Sequence, residues 1–495
     1  MTKSIATALV TTPDPAALRR SEEVIAELPV PAGSSFGILD PATAAPIASA
    51  ADHSAEQALE MVATADEAGA QWAKTPLRVR ADVLRRWYEL LVERSEDIAL
   101  LITREMGKPL AEARAEVAYG ADFVRWYSEE AARPHGDARQ LPAGGAQLIT
   151  QRAPVGLSVL ITPWNFPLAM ATRKIAPALA AGCPTVVKPA ALTPLTTIFA
   201  AELAVQAGVP DGLINVVTTT SASAFSQAVL RDPRVRKVSF TGSTGVGSAL
   251  MSLAAENVLR SSMELGGNAA LLVFDDADLD RAVAGAFAAK MRNGGQSCIA
   301  ANRIFVQDGI AEAFTEALTE KMSKVLVGNG LGADVSLGPL IDERAVASMT
   351  QLVTEATDRG AEVRTGGSAL PGAGYFFAPT LLADVPPDSA IATTEIFGPI
   401  AAVQRFATQE EAIIRANATE FGLAGYVFTE SLDRALNVAD RLETGIVGIN
   451  QGVPSNAAAP FGGIKQSGLG REGSAEGLEE YQVIRFYNIA RRATA

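Results

Sequence analysis

Two cysteines, two histidines and the lack of any dense basic stretch set the first limits on this 495-residue chain. Cys183 and Cys298 are too few for a disulfide framework and fit a reducing compartment. His53 and His135 stand beside neither a cysteine, a serine-containing elbow nor another histidine, so the inventory offers no histidine-dependent triad and no metal site is expected. Lys and Arg number 42 against 55 Asp and Glu, a net charge of −13, which argues against nucleic acid or anionic lipid as partners. The opening MTKSIATALVTTPDP has one lysine and a short apolar stretch broken by Thr and Pro. It reads as neither a secretory signal nor a membrane span, and a cytoplasmic location is expected.

What remains has the composition of a globular protein, with 48% hydrophobic and 20% charged residues. Its length predicts two or three domains. Amphipathic helices fill the first 150 residues, for example around Leu84, Trp87 and Leu91, and no chemistry is legible there. From residue 157 short apolar runs (LSVLI, PTVVK, INVV, KVSF) alternate with helices, the first with Pro167 near its start and Gly182 at its end, the next ending near Gly208. This pattern predicts βαβ units and a doubly wound parallel sheet that binds ligands beyond the carboxyl ends of its strands. A second α/β block starts at ALLVF, with a helix through Leu279, Val283, Phe287 and Met291 stopped by Gly294 and Gly295. EYQVIRFYNIA reads as a strand that, with the stretch near QLITQRA, is available to pair with another subunit.

Cys298 lies in GGQSCIAANR, where glycines let backbone approach a ligand and leave the sulfur accessible; the alternative is a small core residue. Cys183, within the apolar run AAGCPTVV, reads as structural. A thiol nucleophile without histidine needs another proton acceptor. Glu264 in SMELGGNA, at the junction of the two blocks, is a candidate base or else a helix-cap or surface acid. Asn165 in ITPWNFPL is a candidate oxyanion donor or an N-cap. FTGSTGVG places Gly242 and Gly247 in a turn between strand and helix that suits a phosphate, although it is neither GxGxxG nor a P-loop.

Taken in order, PWNFP, VVKP, FTGST, ELGG, GQSC, EIFGP and PFGGIKQSG resemble the aldehyde dehydrogenase superfamily over nearly the whole chain. The resemblance implies that Cys298 is the nucleophile, Glu264 the base for deacylation, and Asn165 an oxyanion donor beside the Cys298 N–H. It also implies cofactor contacts from Trp164, Lys188, Gly242, Ser243, Glu395 and Phe397, with Glu395 on the nicotinamide ribose. The implied reaction is oxidation of an aldehyde through a thiohemiacetal and a thioester with NAD(P). MRNGGQSC, FDDADLD and GIVGINQGVPSN are further similar to the succinate-semialdehyde dehydrogenase branch. That likeness implies that Arg173, Arg292 and Ser455 hold a substrate carboxylate. For each arginine the plain alternative is a surface ion pair. Arg173 follows Asn165 by eight residues, about 11–12 Å along a helix, and Arg292 precedes Cys298 by six.

Three positions depart from the resembled pattern. Ala300 stands where the branch often has a second cysteine, and Ala191 where NAD-preferring members carry a carboxylate. Thr218 and Thr219 replace a glycine expected in the adenosine region. The alanine at 191 removes both an acceptor for the ribose hydroxyls and a repulsion of a 2′-phosphate, so NADP is expected to be used in preference to NAD.

The expected organisation is an NAD(P)-binding domain from 1–133 and 153–265 with 448–476 returning to it, and a catalytic domain over 266–447. A small β oligomerisation element is expected from 134–152 and 477–495, giving a homodimer or homotetramer. Rival readings are a dehydrogenase for glutarate semialdehyde or an uncharged aldehyde, a nucleotide-independent thiol hydrolase, and a silent binding protein of this fold.

Overall fold

The computed structural model describes residues 9–10, 12–133 and 136–491. Residues 1–8 of the opening stretch lie outside them, as do Thr11, His135 and the tips of the expected oligomerisation element at 134–135 and 492–495.

Two sheets carry the molecule. The first has six strands in the order Gly468–Leu469, Arg260–Glu264, Val235–Thr241, Leu157–Ile161, Thr185–Lys188 and Ile214–Val216. All neighbours are parallel except the first pair. The chain enters at Leu157–Ile161, winds outward through Thr185–Lys188 and Ile214–Val216, then crosses to Val235–Thr241 on the other side. That reversal makes the gap beyond Ile161 and Thr241 the switch point where doubly wound sheets bind ligands. The predicted breaks appear: Gly182 ends the helix Ala169–Ala181 at φ 99°, and Gly208, at φ 103°, follows the helix Leu195–Gln206.

The second sheet has seven strands in the order Glu362–Thr365, Thr380–Ala383, Ile400–Phe406, Ala301–Gln307, Ala269–Val273, Ala424–Phe428 and Ile446–Ile449. It too is parallel apart from its first pair. The helix Leu279–Met291 stops slightly before the predicted glycines, because Arg292 leaves the helix and Asn293, Gly294 and Gly295 all take positive φ. Leu9–Val10 pairs with Val327–Gly328, so the amino-terminal segment reaches across to the second block.

A three-stranded antiparallel sheet is formed by Gly136–Gln140, Ala146–Pro154 and Gln482–Ala490. The two segments expected to be free for another subunit pair with each other, over nine positions from Gln482↔Pro154 to Ala490↔Ala146. Ile484, Phe486, Tyr487 and Ile489 stay exposed on the outer strand.

Leu84, Trp87 and Leu91 are fully buried in the helix Leu77–Glu93, and the Trp87 indole N–H donates to Ala200 O at 3.0 Å. They pack beneath Ala169–Ala181, all thirteen residues of which are buried. No described helix is long and apolar enough to cross a membrane.

Candidate active site

The carboxyl ends of the first sheet face the amino ends of the second, and a cavity of about 250 Å³ lies between them. Trp164, Asn165, Gly242, Ser243 and Glu264 reach it from the strand ends of the first sheet. Cys298 reaches it from the connection between the helix Leu279–Met291 and the strand Ala301–Gln307. The chain passes from Glu264 to Ala269 through only four residues, and Gly267 must be glycine there because a Cβ would meet the Cys298 carbonyl oxygen at 2.3 Å. Base and nucleophile candidates are thereby held in one crossing.

Cys298 is partly exposed, whereas Cys183 is buried with its thiol donating to Tyr481 O at 3.3 Å. Burial pushes the Cys298 thiol up to about 12, against the pull of Arg173. Thiolate formation therefore needs a proton acceptor at hand. Glu264 is buried, with no protein hydrogen-bond partner on either carboxylate oxygen among the described residues. Burial and then the nearby charge of Glu472 raise its carboxyl well above the usual glutamate value, while Arg173, Lys174 and Arg471 pull it down. A buried carboxyl with free lone pairs and raised basicity, lining the same cavity as a thiol, is equipped to move a proton.

Asn165 follows the strand Leu157–Ile161, and its Nδ2 donates to Gln296 O in the Cys298 loop at 3.0 Å. One amide hydrogen is spent on that bond, which leaves the second available to the cavity. The N-cap alternative does not describe it: Leu168 is the cap, and the carboxylate of Glu116 accepts from Leu168 N and Ala169 N.

Arg173 and Arg292 reach the same cavity with Ser455, Tyr119 and Phe461. Neither arginine is a surface ion pair. Arg173 is buried, stacks 4.5 Å from the Phe461 ring centroid and is paired through Nε with Glu472, while its buried Nη2 lacks a hydrogen-bond partner among the described residues. Arg292 lies 5.1 Å from the Phe166 ring centroid and 5.6 Å from that of Tyr119, with no ion pair among the described residues. Glu472 also pairs with Lys174; burial works against its charge, but the two cations outweigh burial and hold its carboxyl below the ordinary value.

Among the candidate cofactor residues, Trp164 and Phe397 meet edge to face at 5.4 Å, Phe397 at a φ of 53°. Glu395 accepts from Gly267 N at 3.1 Å; burial pushes its carboxyl up to about 7 against that bond and the charge of Lys290. Gly242 and Gly247 pack closely inside the fold, since a Cβ would press on Phe240 Cζ at 2.4 Å and on Leu265 Cδ2 at 2.3 Å unless those side chains moved. The feature suited to a phosphate is the helix Thr244–Ala255, whose cap Ser243 makes no side-chain hydrogen bond to it. Lys188 closes the strand beside Ile161, buried, with Nζ donating to Pro189 O at 3.3 Å, and Ala191 follows on the turn. The threonines of the departing adenosine segment are committed locally. Thr218 Oγ1 donates to Ala51 O at 2.6 Å, and Thr219 and Thr220 bond Asp52.

Sequence reasoning missed Tyr119, Glu472 and the charged residues Lys108, Glu112 and Glu116. Tyr119 and these three charges sit in the stretch that showed no chemistry. Glu472, between Arg471 and Gly473, does carry a local signal: an acid in a glycine-rich turn just after PFGGIKQSG.

The model of the aldehyde dehydrogenase family matches residues 30–487. The chain is 54% identical to a succinate-semialdehyde dehydrogenase of Paenarthrobacter nicotinovorans over 90% of its own length and 99% of the relative's. It is 47% identical to a glutarate-semialdehyde dehydrogenase of Pseudomonas aeruginosa over 92% and 94% of the two chains. A crystal structure of an Escherichia coli NADP-dependent enzyme superposes with a TM-score of 0.92 at 46% identity, covering 94% of this chain and 96% of that one. With a cysteine, a buried carboxyl and a side-chain amide gathered where two parallel sheets meet, and with this likeness running through nearly the whole length, the chain belongs to the aldehyde dehydrogenase family.

Proposed function

We propose that this enzyme oxidises succinic semialdehyde to succinate through a covalent adduct on Cys298. The observation that carries the reading is that Arg173, Arg292 and Ser455 line the same cavity as Cys298, Glu264 and Asn165. An arginine fork bonds both oxygens of a carboxylate, and a serine hydroxyl supplies one more donor. A four-carbon semialdehyde spans the few bonds between such a carboxylate and the carbon that sulfur attacks. Glutarate semialdehyde, with one more methylene, is the second reading, and the Pseudomonas relative supports it.

Cys298 Sγ, once deprotonated, adds to the aldehyde carbon, and the oxygen that becomes negative accepts from Asn165 Nδ2 and the Cys298 N–H. A bound nicotinamide supplies the acceptor for the hydride lost from that carbon. The thioester left on Cys298 is attacked by water as Glu264 takes its proton; the C–S bond breaks and the acid is released. Glu395, Phe397 and Trp164 would hold the nicotinamide end, and Gly242, Ser243 and the uncapped helix start at Thr244 the diphosphate. Gly247 packs the helix against Leu265, and Lys188 and Ala191 would face the adenosine ribose. NADP in preference to NAD follows from the missing carboxylate at Ala191, and the named Escherichia coli structure is in accord. A cytoplasmic homodimer or homotetramer completes the reading, the exposed apolar residues Ile484, Phe486, Tyr487 and Ile489 offering the contact.

A panel of aldehydes assayed by reduced-nicotinamide absorbance tests the proposal. The highest kcat/KM is expected with succinic semialdehyde; a higher value for glutarate semialdehyde or butanal overturns the substrate assignment, and no reduction at all returns the thiol-hydrolase reading.

A further inference from the structure

The amino-terminal segment carries three ionisable groups beside the cavity that do not line it, Lys108 and Glu116 buried and Glu112 half-buried. Lys108 follows the helix Ser95–Met106, and Glu112 and Glu116 lie one turn apart on Leu110–Glu130. The Lys108 ammonium is 2.5 Å from Glu116 Oε2, donates to the main-chain carbonyl of Asn165 at 2.8 Å and lies 4.0 Å from the Phe166 ring centroid. The other oxygen of Glu116 accepts from Leu168 N at 2.9 Å and Ala169 N at 3.3 Å, the start of the helix that carries Arg173. Glu112 accepts from Asn293 N at 2.7 Å, and Asn293 Nδ2 donates to the Asn165 carbonyl and to Gln296 O, each at 3.0 Å.

Among the described residues, the side-chain hydrogen bonds that leave this cluster end on Asn165, Leu168, Ala169 and Asn293. The ion pair is deeply buried, and burying such a pair is poor economy for stability alone, since apolar residues of similar size are often as good or better. What it does supply is geometry. Asn165 lies in an irregular connection without a strand or helix ladder, and two donors on its carbonyl, from Lys108 and Asn293, set the peptide plane from which its side chain projects. Its Nδ2 is then pinned to Gln296 O, which aims the second amide hydrogen.

We propose that Lys108, held by Glu116, is a positioning residue for the Asn165 oxyanion donor. This rests on the role given to Asn165 above. Lys108 does not line the cavity; it acts through the Asn165 backbone. A displacement of about 1 Å at a catalytic donor costs roughly 100-fold in rate, so the loss of one carbonyl contact should be visible in kcat.

The test is a double-mutant cycle on the full-length enzyme with Lys108→Met, Asn165→Ala and the pair together, rates being normalised to sites titrated by the first-turnover burst. Lys108→Met is expected to lower kcat by about 10- to 100-fold while cofactor and aldehyde KM change by no more than about threefold. In the Asn165→Ala background the same change should cost less than about threefold, because the residue through which it acts is gone. Glu116→Gln, which keeps an acceptor for Leu168 N and Ala169 N, gives a second cycle with the same expected non-additivity and decides the matter if Lys108→Met does not fold. Equal losses in both backgrounds, or an unchanged kcat in Lys108→Met, overturn the proposal. Wild-type turnover by Asn165→Ala alone instead overturns the oxyanion role of Asn165, and with it the inference built on it.

Discussion

Arg173 enters the cavity already paired with Glu472, whereas Arg292 lies against the rings of Tyr119 and Phe166 and has no ion pair among the described residues. The two arginines are therefore unequal as ligands for a substrate carboxylate. Arg292→Ala is expected to lower kcat/KM for succinic semialdehyde by about 30-fold or more and for butanal by less than about threefold. Arg173→Ala also leaves Glu472 with Lys174 as its remaining paired cation, and Glu472 acts on the base Glu264. Its loss should slow both aldehydes, the semialdehyde more. Steady-state kinetics with the two substrates decide; equal losses in Arg292→Ala would remove it from the carboxylate site.

Cys298→Ala should abolish oxidation yet bind cofactor. Glu264→Gln should still release about one reduced nicotinamide per site, in a burst slowed by the loss of an acceptor for the Cys298 proton, and then turn over about 100- to 10,000-fold more slowly, because deacylation depends on the same base in every cycle. Rapid-quench kinetics read both phases. Full turnover by Cys298→Ala would end the covalent mechanism.

The pH dependence follows from the sign of two shifts. Glu264 is raised above the ordinary glutamate value and works as the carboxylate, so kcat should fall as pH drops through a value well above 4.5. Glu395 is raised to about 7, and protonation turns one of its oxygens into a donor and weakens the other as an acceptor, so the KM for cofactor should rise as pH falls through about 7. Acid limbs confined below pH 5 in both profiles would contradict these assignments.

Peroxide should inactivate the enzyme through the sulfenic, sulfinic and sulfonic series on Cys298 itself. Ala300 offers no neighbouring thiol, and Cys183 is buried with burial pushing it up to about 11, so it makes little thiolate. Peptide mass mapping is the check, and a stable disulfide between Cys183 and Cys298 would be the contrary result.

Ala191→Glu should shift the ratio of kcat/KM toward NAD, by supplying a ribose acceptor and a charge that repels a 2′-phosphate. Cofactor kinetics measure it. A wild-type preference for NAD would instead place the discrimination elsewhere, for example at the contacts of Thr219 and Thr220 with Asp52.

Much of the fold was legible because apolar runs and glycine stops are local signals: Gly182 and Gly208 mark helix ends in both readings. Cys298, Glu264 and Asn165 were legible because each sits in a short motif at a strand or helix end. Their convergence was not, since it depends on two sheets meeting end to end. Lys108, Glu112 and Glu116 lie in the stretch where no chemistry is legible; only tertiary packing shows that these charges meet Asn165 and the segments beside it. Likewise the pairing of QLITQRA with the last strand is a contact across more than three hundred residues, and no local pattern separates it from pairing with another copy.

The helix Ala169–Ala181 has no exposed residue, and this predicts how the sequence can drift. An ordinary surface helix accepts change along one stripe with a period near 3.6 residues. Here saturation mutagenesis should return an unbroken block of intolerance, including the charged positions Arg173 and Lys174, whose replacement strands a partner carboxylate. Innovation in substrate choice would then have to enter through the walls opposite, at Tyr119, Arg292 and Ser455, before it could reach Arg173.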